Sequence, residues 1–466
     1  MNNFTINRKI WKTLLFGGSV ALAFPPFFIM PIFFSAYAWL YSNIHKSTTK
    51  EAFINSFIFF TSFFVALLYW LVNPLTFDLQ HHVILIPFAV LIAPMFLGMQ
   101  FAMFVWIARK TLWNNVLSRI LSFSLGQLAI TYFCGEIFPN FPWMLPAYVW
   151  CGHEVFMQTI SVYGIYGLSF VSLLLASLCG EAVILYRKKN KYIFLLISLV
   201  CCVFATIIMF GCYRLNQNPT KFTDKTALIV QCDISQKEKL NKGLSYKILK
   251  KHISQSMHQN DVDFVIWAEA AVPYLYRENF EDLHNWLIKP LHENEFLITG
   301  VVRRDLVNSL VYNSIVVIDA KKQNVATYDK SKLVPFGEYI PFRKILSLSP
   351  LASDIEDFAV GTTSNIFKIK GLNVLFANCY EVAFRHKRKN ADVMINLTND
   401  GWFGHTTELY QHLTMAKVRA VELGIPVIRV TNFGVSAVFD PCGRCIAKIP
   451  VDQAQTLAIK IPKKIE

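Results

Sequence analysis

Charge is what this chain has least of: Asp, Glu, Lys and Arg make up 16% of its 466 residues, against about 25% in soluble domains. Hydrophobic residues make up 54%, so a wholly soluble protein is excluded and an integral membrane protein is expected. The shortage is uneven. Up to Leu215 there are 13 Lys/Arg and 5 Asp/Glu, and from Asn216 onward there are 32 and 26. Internal repeats and low-complexity tracts are absent, which excludes a solenoid. No Cys/His cluster has metal-ligand spacing, so neither a metal nor a cofactor is expected. The ten cysteines give no readable disulfide framework. Six (134, 151, 179, 201, 202 and 212) fall in the apolar half as small packing residues. The formal charge of +14 does not mark a nucleic-acid binder: 8 of those charges belong to the apolar half, and the remainder are scattered with no nucleic-acid-binding motif.

Apolar runs long enough for a hydrocarbon core of about 30 Å cover residues 53–72, 83–108, 120–138, 158–186 and 192–213. A further run, Thr13 to Leu40, is broken by Pro25, Pro26 and Pro31 and is followed by no small-residue cleavage site, so it is an anchor. Both of its ends are basic (Arg8, Lys9 and Lys12 before it, Lys46 and Lys50 after it), so both stay in the cytoplasm. That requires two helices, for a total of seven. Lys and Arg then fall at 8, 9, 12, 46, 50, 109, 110, 119, 187, 188, 189 and 191, while the alternate loops at 25–31, 73–82 and 139–157 have none. The chain should leave the seventh helix on the outer side, with Arg214 just past the crossing. Glu136, Glu154 and Glu181 lie near predicted helix ends and are read as snorkelling. The expected organisation is a helical membrane domain over 1–215 and an extracytoplasmic domain over 216–466.

The second domain alternates apolar β-branched runs with helices. Strands are expected at 226–232, 263–269, 295–302, 311–319, 373–378, 392–398, 426–432, 435–440 and 456–461. Helices are expected at 242–258, 279–288 and 408–422. This is an α/β domain with buried central sheets. Catalytic groups in such folds gather where strands end. Glu269 follows "VIWA", Lys330 stands in "ATYDKSKLVPFGEY", and Cys379 follows "NVLFAN". Their chemistry is complementary: a carboxylate to take a thiol proton, an ammonium to hold a developing oxyanion, and a thiolate as nucleophile.

Those three residues, in that order after strands, resemble the carbon–nitrogen hydrolase (nitrilase) superfamily. Within it, the chain is similar to the apolipoprotein N-acyltransferase family. The likeness is carried by "YDKSKLVPFGEYIP" (328–341), "CYEVAF" (379–384), "NLTNDGWFGHTTELYQHLTMAKVRAVELGIPVIRVTNFGVSAV" (396–438) and "GIYGLSF" (164–170). It implies an α–β–β–α sandwich on the membrane helices, in the bacterial inner membrane with the catalytic domain in the periplasm. The implied reaction moves an acyl chain from a phospholipid to a Cys379 thioester. From there it passes to the α-amine of a diacylglyceryl-apolipoprotein. Glu269 would be acid and base and Lys330 the oxyanion partner. Glu338 would be a supporting carboxylate, Tyr380 and Glu381 would line the site, and Trp402 and Phe403 would wall the pocket. A monomer is expected, with the bilayer as its environment. A membrane-tethered amidase, in which water resolves the thioester, is the alternative; a non-catalytic lipoprotein-binding protein on the same scaffold is a further one.

Departures from the family pattern are Ala268 where proline is common, Cys232 and Ser235 for glycine and proline, and Leu240 for a tryptophan in the early substrate loop. Members commonly end in one more membrane helix, and no apolar run precedes Glu466. Asn399, Asp400 and Asn432 are read as turn-shaping residues, and His405 and His412 as solvated. "PCGRC" (441–445) is a hairpin turn, either inert or closed by a local disulfide. The segment 343–358 is a lid or a surface loop.

Overall fold

The computed structural model describes residues 3–259, 261–277, 281–341, 343, 350–351, 356–386 and 390–466. The chain divides into two compact units, Met1–Gln217 and Asn218–Glu466.

The first unit is helical. Among the described residues, five helices are long and apolar enough to cross a membrane: Thr49–Leu67, Val83–Thr111, Val116–Glu136, Ile160–Arg187 and Ile193–Gln217. The run expected to form two helices does break at its prolines. Asn3–Ser19 continues as a 3-10 turn to Ala23, and a new helix runs from Met30 to Lys46 with Pro31 in its first turn, where a missing N–H costs nothing. Thr48 and Glu51 form a capping box at the start of Thr49–Leu67. Asn115 caps Val116–Glu136 through the Ser118 N–H.

Two expectations are corrected here, while Arg214 stands in the last turn of the last helix and donates to Gln158. Glu181 does not snorkel. It is buried, 2.6 Å from Arg119 and 3.0 Å from the Tyr41 hydroxyl, because a carboxylate among packed helices is tolerated only with a partner. Arg119, counted with the loop cations, is spent on that pair.

The second unit has thirteen strands among the described residues: β1 Phe222–Gln231, β2 Phe264–Ile266, β3 Leu275–Tyr276, β4 Phe296–Arg304, β5 Val311–Asp319, β6 Asn324–Asp329, β7 Ile366–Ile369, β8 Leu372–Asn378, β9 Val393–Thr398, β10 Val427–Thr431, β11 Ser436–Phe439, β12 Cys445–Ile449 and β13 Gln455–Pro462. One sheet runs β13-β1-β2-β4-β5-β6, with β3 alongside β4; the other runs β12-β11-β10-β9-β8-β7. The parallel neighbours β1–β2–β4 and β8–β9–β10 form the middle of each sheet.

The two-residue period of strands sorts the core into layers. Ala227, Ile229, Ile266, Ile298, Ile315 and Val317 face Phe376, Ile395, Ile428 and Val438 between the sheets. The intervening Leu228, Val230, Val265, Leu297 and Val316 pack outward with Ile248, Leu249, Ile253, Leu283 and Leu287. Those last residues come from helices Ser245–Ser256 and Glu281–Leu287. Helix Glu408–Leu423 covers the other sheet against β10 and β11. The layers are α–β–β–α, as the resemblance implied. Sequence periodicity missed β3, β6, β7 and β12 and the short helix Gln236–Leu240. The segment 343–358 lies largely outside the described residues.

Candidate active site

Each of the three chemistry-bearing residues leaves the end of a strand. Glu269 stands three residues beyond β2, and its amide donates to the Thr398 carbonyl of β9, 3.4 Å away. The next residue, Ala270, has φ +44°. Gly300 of β4 packs so closely there that a Cβ would lie 2.5 Å from Glu269 Cα; only glycine permits this approach. Lys330 directly follows β6, with its amide on the Asn313 carbonyl at 2.9 Å. Cys379 directly follows β8 with φ +53°, a left-handed conformation that a non-glycine residue keeps only when its surroundings enforce it. Cys379 as a residue is half-buried, whereas Glu269, Lys330 and Glu338 are buried, Lys330 to 1%.

The site is knitted by charge-assisted bonds. Lys330 Nζ is 3.0 Å from Glu338 Oε1 and 3.5 Å from Glu269 Oε1. Asn313 Nδ2 donates to the same two carboxylates at 2.6 and 2.8 Å. Its Oδ1 accepts from Asn378 Nδ2 at 2.9 Å, next to the cysteine. The second Glu338 oxygen accepts from the Val334 amide. The Thr398 hydroxyl lies 3.2 Å from Cys379 Sγ.

Burial alone would push Lys330 toward its neutral form. The carboxylates of Glu338 and Glu269, with Cys379, outweigh that and raise its pKa above the ordinary lysine value. Cys379 is shifted up, first by burial and then by the Glu269 carboxylate, while Lys330 and the Thr398 hydroxyl oppose the rise. The resting sulfur is therefore a thiol, and a thiolate requires a base to remove the proton.

The remaining expected residues fall as follows. Both oxygens of the Glu381 carboxylate are engaged by neighbouring donors. One oxygen accepts from the Tyr328 and Ser331 hydroxyls and from the Ser331 and Lys332 amides, and the other accepts from the Asn378 amide. It ties the loop after Lys330 to the turn that carries Cys379. Tyr380 is buried edge-on against Phe384, with ring centres 5.0 Å apart. Trp402 and Phe403 are half-buried after Asn399, Trp402 ending a short turn that starts at Asp400.

His405 is exposed and pairs with Asp452 at 2.9 Å. His412, expected in solvent, is buried: Nδ1 lies 3.0 Å from Asp400, and Nε2 lies 3.2 Å from the Cys379 carbonyl. Asp400 is not a mere turn residue, because Arg429 Nη2 reaches it at 2.6 Å with both groups fully buried. Asn432 donates to the Glu269 carbonyl. The "PCGRC" segment is the β11–β12 hairpin turn, with Cys442 buried and Cys445 exposed.

Sequence reasoning missed Asn313, Thr398, Arg429 and Lys239. The Lys239 ammonium donates to the Glu269 carbonyl at 3.1 Å. Burial lowers its pKa to about 8, against the pull of Glu269 and Cys379. Asn313 and Arg429 did leave a signal, as polar residues inside apolar strands ("VYNSIVVID", "PVIRVT"). Among the described residues, two groupings have metal-ligand atoms within 4.8 Å of one another: His258 with His292 and Glu295, and Asp400 with Glu408 and His412. In the first, Glu295 already accepts from the Val262 and His292 amides. In the second, Arg429 already supplies the cation.

The sandwich and the Glu–Lys–Cys grouping define a carbon–nitrogen hydrolase domain, and residues 226–465 match the family model described as carbon-nitrogen hydrolase. Residues 16–178 match the model of the apolipoprotein N-acyltransferase N-terminal domain. The chain is 30% identical to an apolipoprotein N-acyltransferase of Rickettsia prowazekii, over 97% of its own length and 92% of the relative's. It is 31% identical to one from Allorhizobium ampelinum, over 94% and 87%. It belongs to the apolipoprotein N-acyltransferase family. A solved CN-hydrolase superfamily protein from Xanthomonas campestris is 18% identical, with a TM-score of 0.39, covering 51% of this chain and 91% of its own; that likeness is too loose to bear on activity.

Proposed function

We propose that this protein N-acylates lipoproteins, moving an acyl chain from a phospholipid through a Cys379 thioester to the α-amine of a diacylglyceryl-cysteine. The observation that carries the reading is the meeting of Glu269, Lys330 and Cys379 at strand ends, in a chain whose other unit holds five membrane-length apolar helices. Glu269 takes the Cys379 proton, and the thiolate attacks the ester carbonyl carbon. Lys330 faces the oxyanion of the tetrahedral intermediate. The carbon–oxygen bond breaks, and Glu269 returns the proton to the departing glycerol oxygen, releasing lysophospholipid. The lipoprotein amine then attacks the thioester carbonyl and gives a proton to Glu269. The carbon–sulfur bond breaks and the thiol is restored.

Glu338 and Asn313 support the reading as the groups that fix Lys330 and Glu269. Trp402 and Phe403 would wall the acyl pocket. Membrane anchoring fits both substrates, since their chains stay in the bilayer while ester and amine rise to the site. The distribution of Lys and Arg supports a site on the periplasmic side of a bacterial inner membrane.

The test is incubation of the full-length protein with a phospholipid of defined acyl chain, followed by intact-mass analysis. A one-acyl increment on wild type that is absent from Cys379→Ala supports the proposal. Transfer by Cys379→Ala refutes it. A thioester that forms but yields free fatty acid in the presence of lipoprotein substrate would make the protein a hydrolase.

A further inference from the structure

Behind the nucleophile lies a polar group for which the reaction as written has no use. The Cys379 carbonyl accepts from His412 Nε2 at 3.2 Å and from Asn396 Nδ2 at 3.4 Å. His412 Nδ1 faces Asp400 Oδ1 at 3.0 Å. That same oxygen lies 3.3 Å from the Thr398 hydroxyl, whose other neighbour is the Cys379 sulfur at 3.2 Å. Arg429 closes the ring, bonding Asp400 at 2.6 Å and Asn396 at 2.9 Å. Every one of these side chains is fully buried or nearly so.

We propose that Thr398, Asp400 and His412 form a bracket that holds Cys379 at both ends, with the Thr398 hydroxyl on the sulfur and the His412 imidazole on the carbonyl. This rests on Cys379 being the nucleophile. Thr398 touches the reacting atom and is a further catalytic residue; His412 and Asp400 act through it and are positioning residues.

Three observations carry the assignment. The left-handed backbone at Cys379 needs an external restraint, and two donors converge on its carbonyl. A carbonyl only accepts, so His412 Nε2 must carry a proton in either charge state of the ring. The Thr398 hydroxyl has one hydrogen and two acceptors at nearly equal distance. Once Glu269 has taken the thiol proton, that hydrogen belongs to the thiolate. Once the sulfur is acylated and no longer negative, it returns to Asp400. The carboxylate thus keeps the donor oriented through the half of the cycle in which the sulfur has no use for it. Asp400 is suited to this role because Arg429 and His412 outweigh its burial and hold its pKa below the ordinary value.

The experiment compares two conservative pairs in the full-length protein. It measures the rate of Cys379 thioester formation at saturating phospholipid, the KM for phospholipid, and the melting temperature. A hydrogen bond to a charged group is lost in Thr398→Val, so the saturating rate should fall roughly 10- to 150-fold with KM little changed, while Thr398→Ser keeps the hydroxyl and most of the rate. His412→Gln carries an amide donor to about the position of Nε2 and should recover rate that His412→Asn, whose amide stops at the Nδ1 position, loses. Equal rates within either pair, or a loss seen only in KM, overturn the bracket. If both His412 variants unfold, the Thr398 pair decides alone. Failure of the thioester reading is separate, because it appears as acyl transfer by Cys379→Ala.

Discussion

Replacing Gly300 by alanine tests how finely Glu269 is placed without altering any polar side chain. The new Cβ would lie 2.4 Å from the Ala270 nitrogen, 2.5 Å from Glu269 Cα and 2.7 Å from the Ala268 carbonyl oxygen. Comfortable carbon contacts lie near 3.5–4.0 Å, so the backbone at Glu269 has to retreat by about 1 Å. The listening partners leave little slack, with Asn313 at 2.8 Å and Lys330 at 3.5 Å from the carboxylate. A displacement of ~1 Å in a group that must meet a thiol proton costs on the order of 100-fold in rate. The crowding itself should destabilise the fold by about 1–3 kcal/mol. The assay is single-turnover thioester formation with a phospholipid carrying a labelled acyl chain, run beside a thermal melt below the transition. A folded Gly300→Ala protein that acylates Cys379 within about threefold of wild type would refute the argument that β4 sets the position of the base.

Lys330→Met leaves Glu269 and Glu338 buried without their cation and should cost about 3–5 kcal/mol in denaturant unfolding. Adding Glu338→Met should recover much of that stability and none of the acylation rate. In the helical unit, Arg119→Leu or Glu181→Leu alone strands a buried charge, so the double variant should melt above either single one. Lys239 makes a pH prediction. Its pKa falls from 10.5 to about 8 on folding. Below pH 8 both states hold the proton; between 8 and 10.5 the unfolded state holds more, so stability contributed by this group rises with pH across that window. A Lys239→Met protein should lack that part of the rise in melting temperature from pH 8 to 10; an unchanged profile would show that the ammonium is not buried as described.

The order of layers and two of the three residues gathered at the strand ends were legible because both are written locally. Alternating apolar residues mark buried strands, and an isolated Glu or Cys at the end of such a strand marks the sheet edge, whereas Lys330 was found by its motif because the strand before it was not read. What stayed hidden depends on long-range pairing. Strand β6 reads as polar ("NVATYD"), yet it is held against β5. Glu381, read as lining the site beside Cys379, has its carboxylate engaged by the Lys330 loop 50 positions away in sequence. His412 sits on a helix that packs its polar face inward, because Asp400 and Arg429 are buried there to receive it. No periodicity distinguishes that face from a solvated one.

The raised pKa of Cys379 bears on why the protein should use a base-activated thiol at all. An exposed, low-pKa thiolate would be the stronger resting nucleophile, but it would also be the first group to be oxidised. Burial and the neighbouring Glu269 carboxylate keep the sulfur protonated. Lys330, engaged by Glu338 and Glu269 together, is not free to draw the proton off by forming a resting ion pair with the sulfur. Proton loss is thereby deferred until an ester carbonyl lies in reach, when charge leaving the sulfur for the oxyanion returns a stabilising partner to the ammonium. On this argument a neutral alkylating reagent should react with Cys379 slowly at pH 7 and faster as pH rises, while the rate of thioester formation from phospholipid should change much less over the same range. Fast alkylation at neutral pH would mean a thiolate is already present, and Glu269 would lose its role as the base.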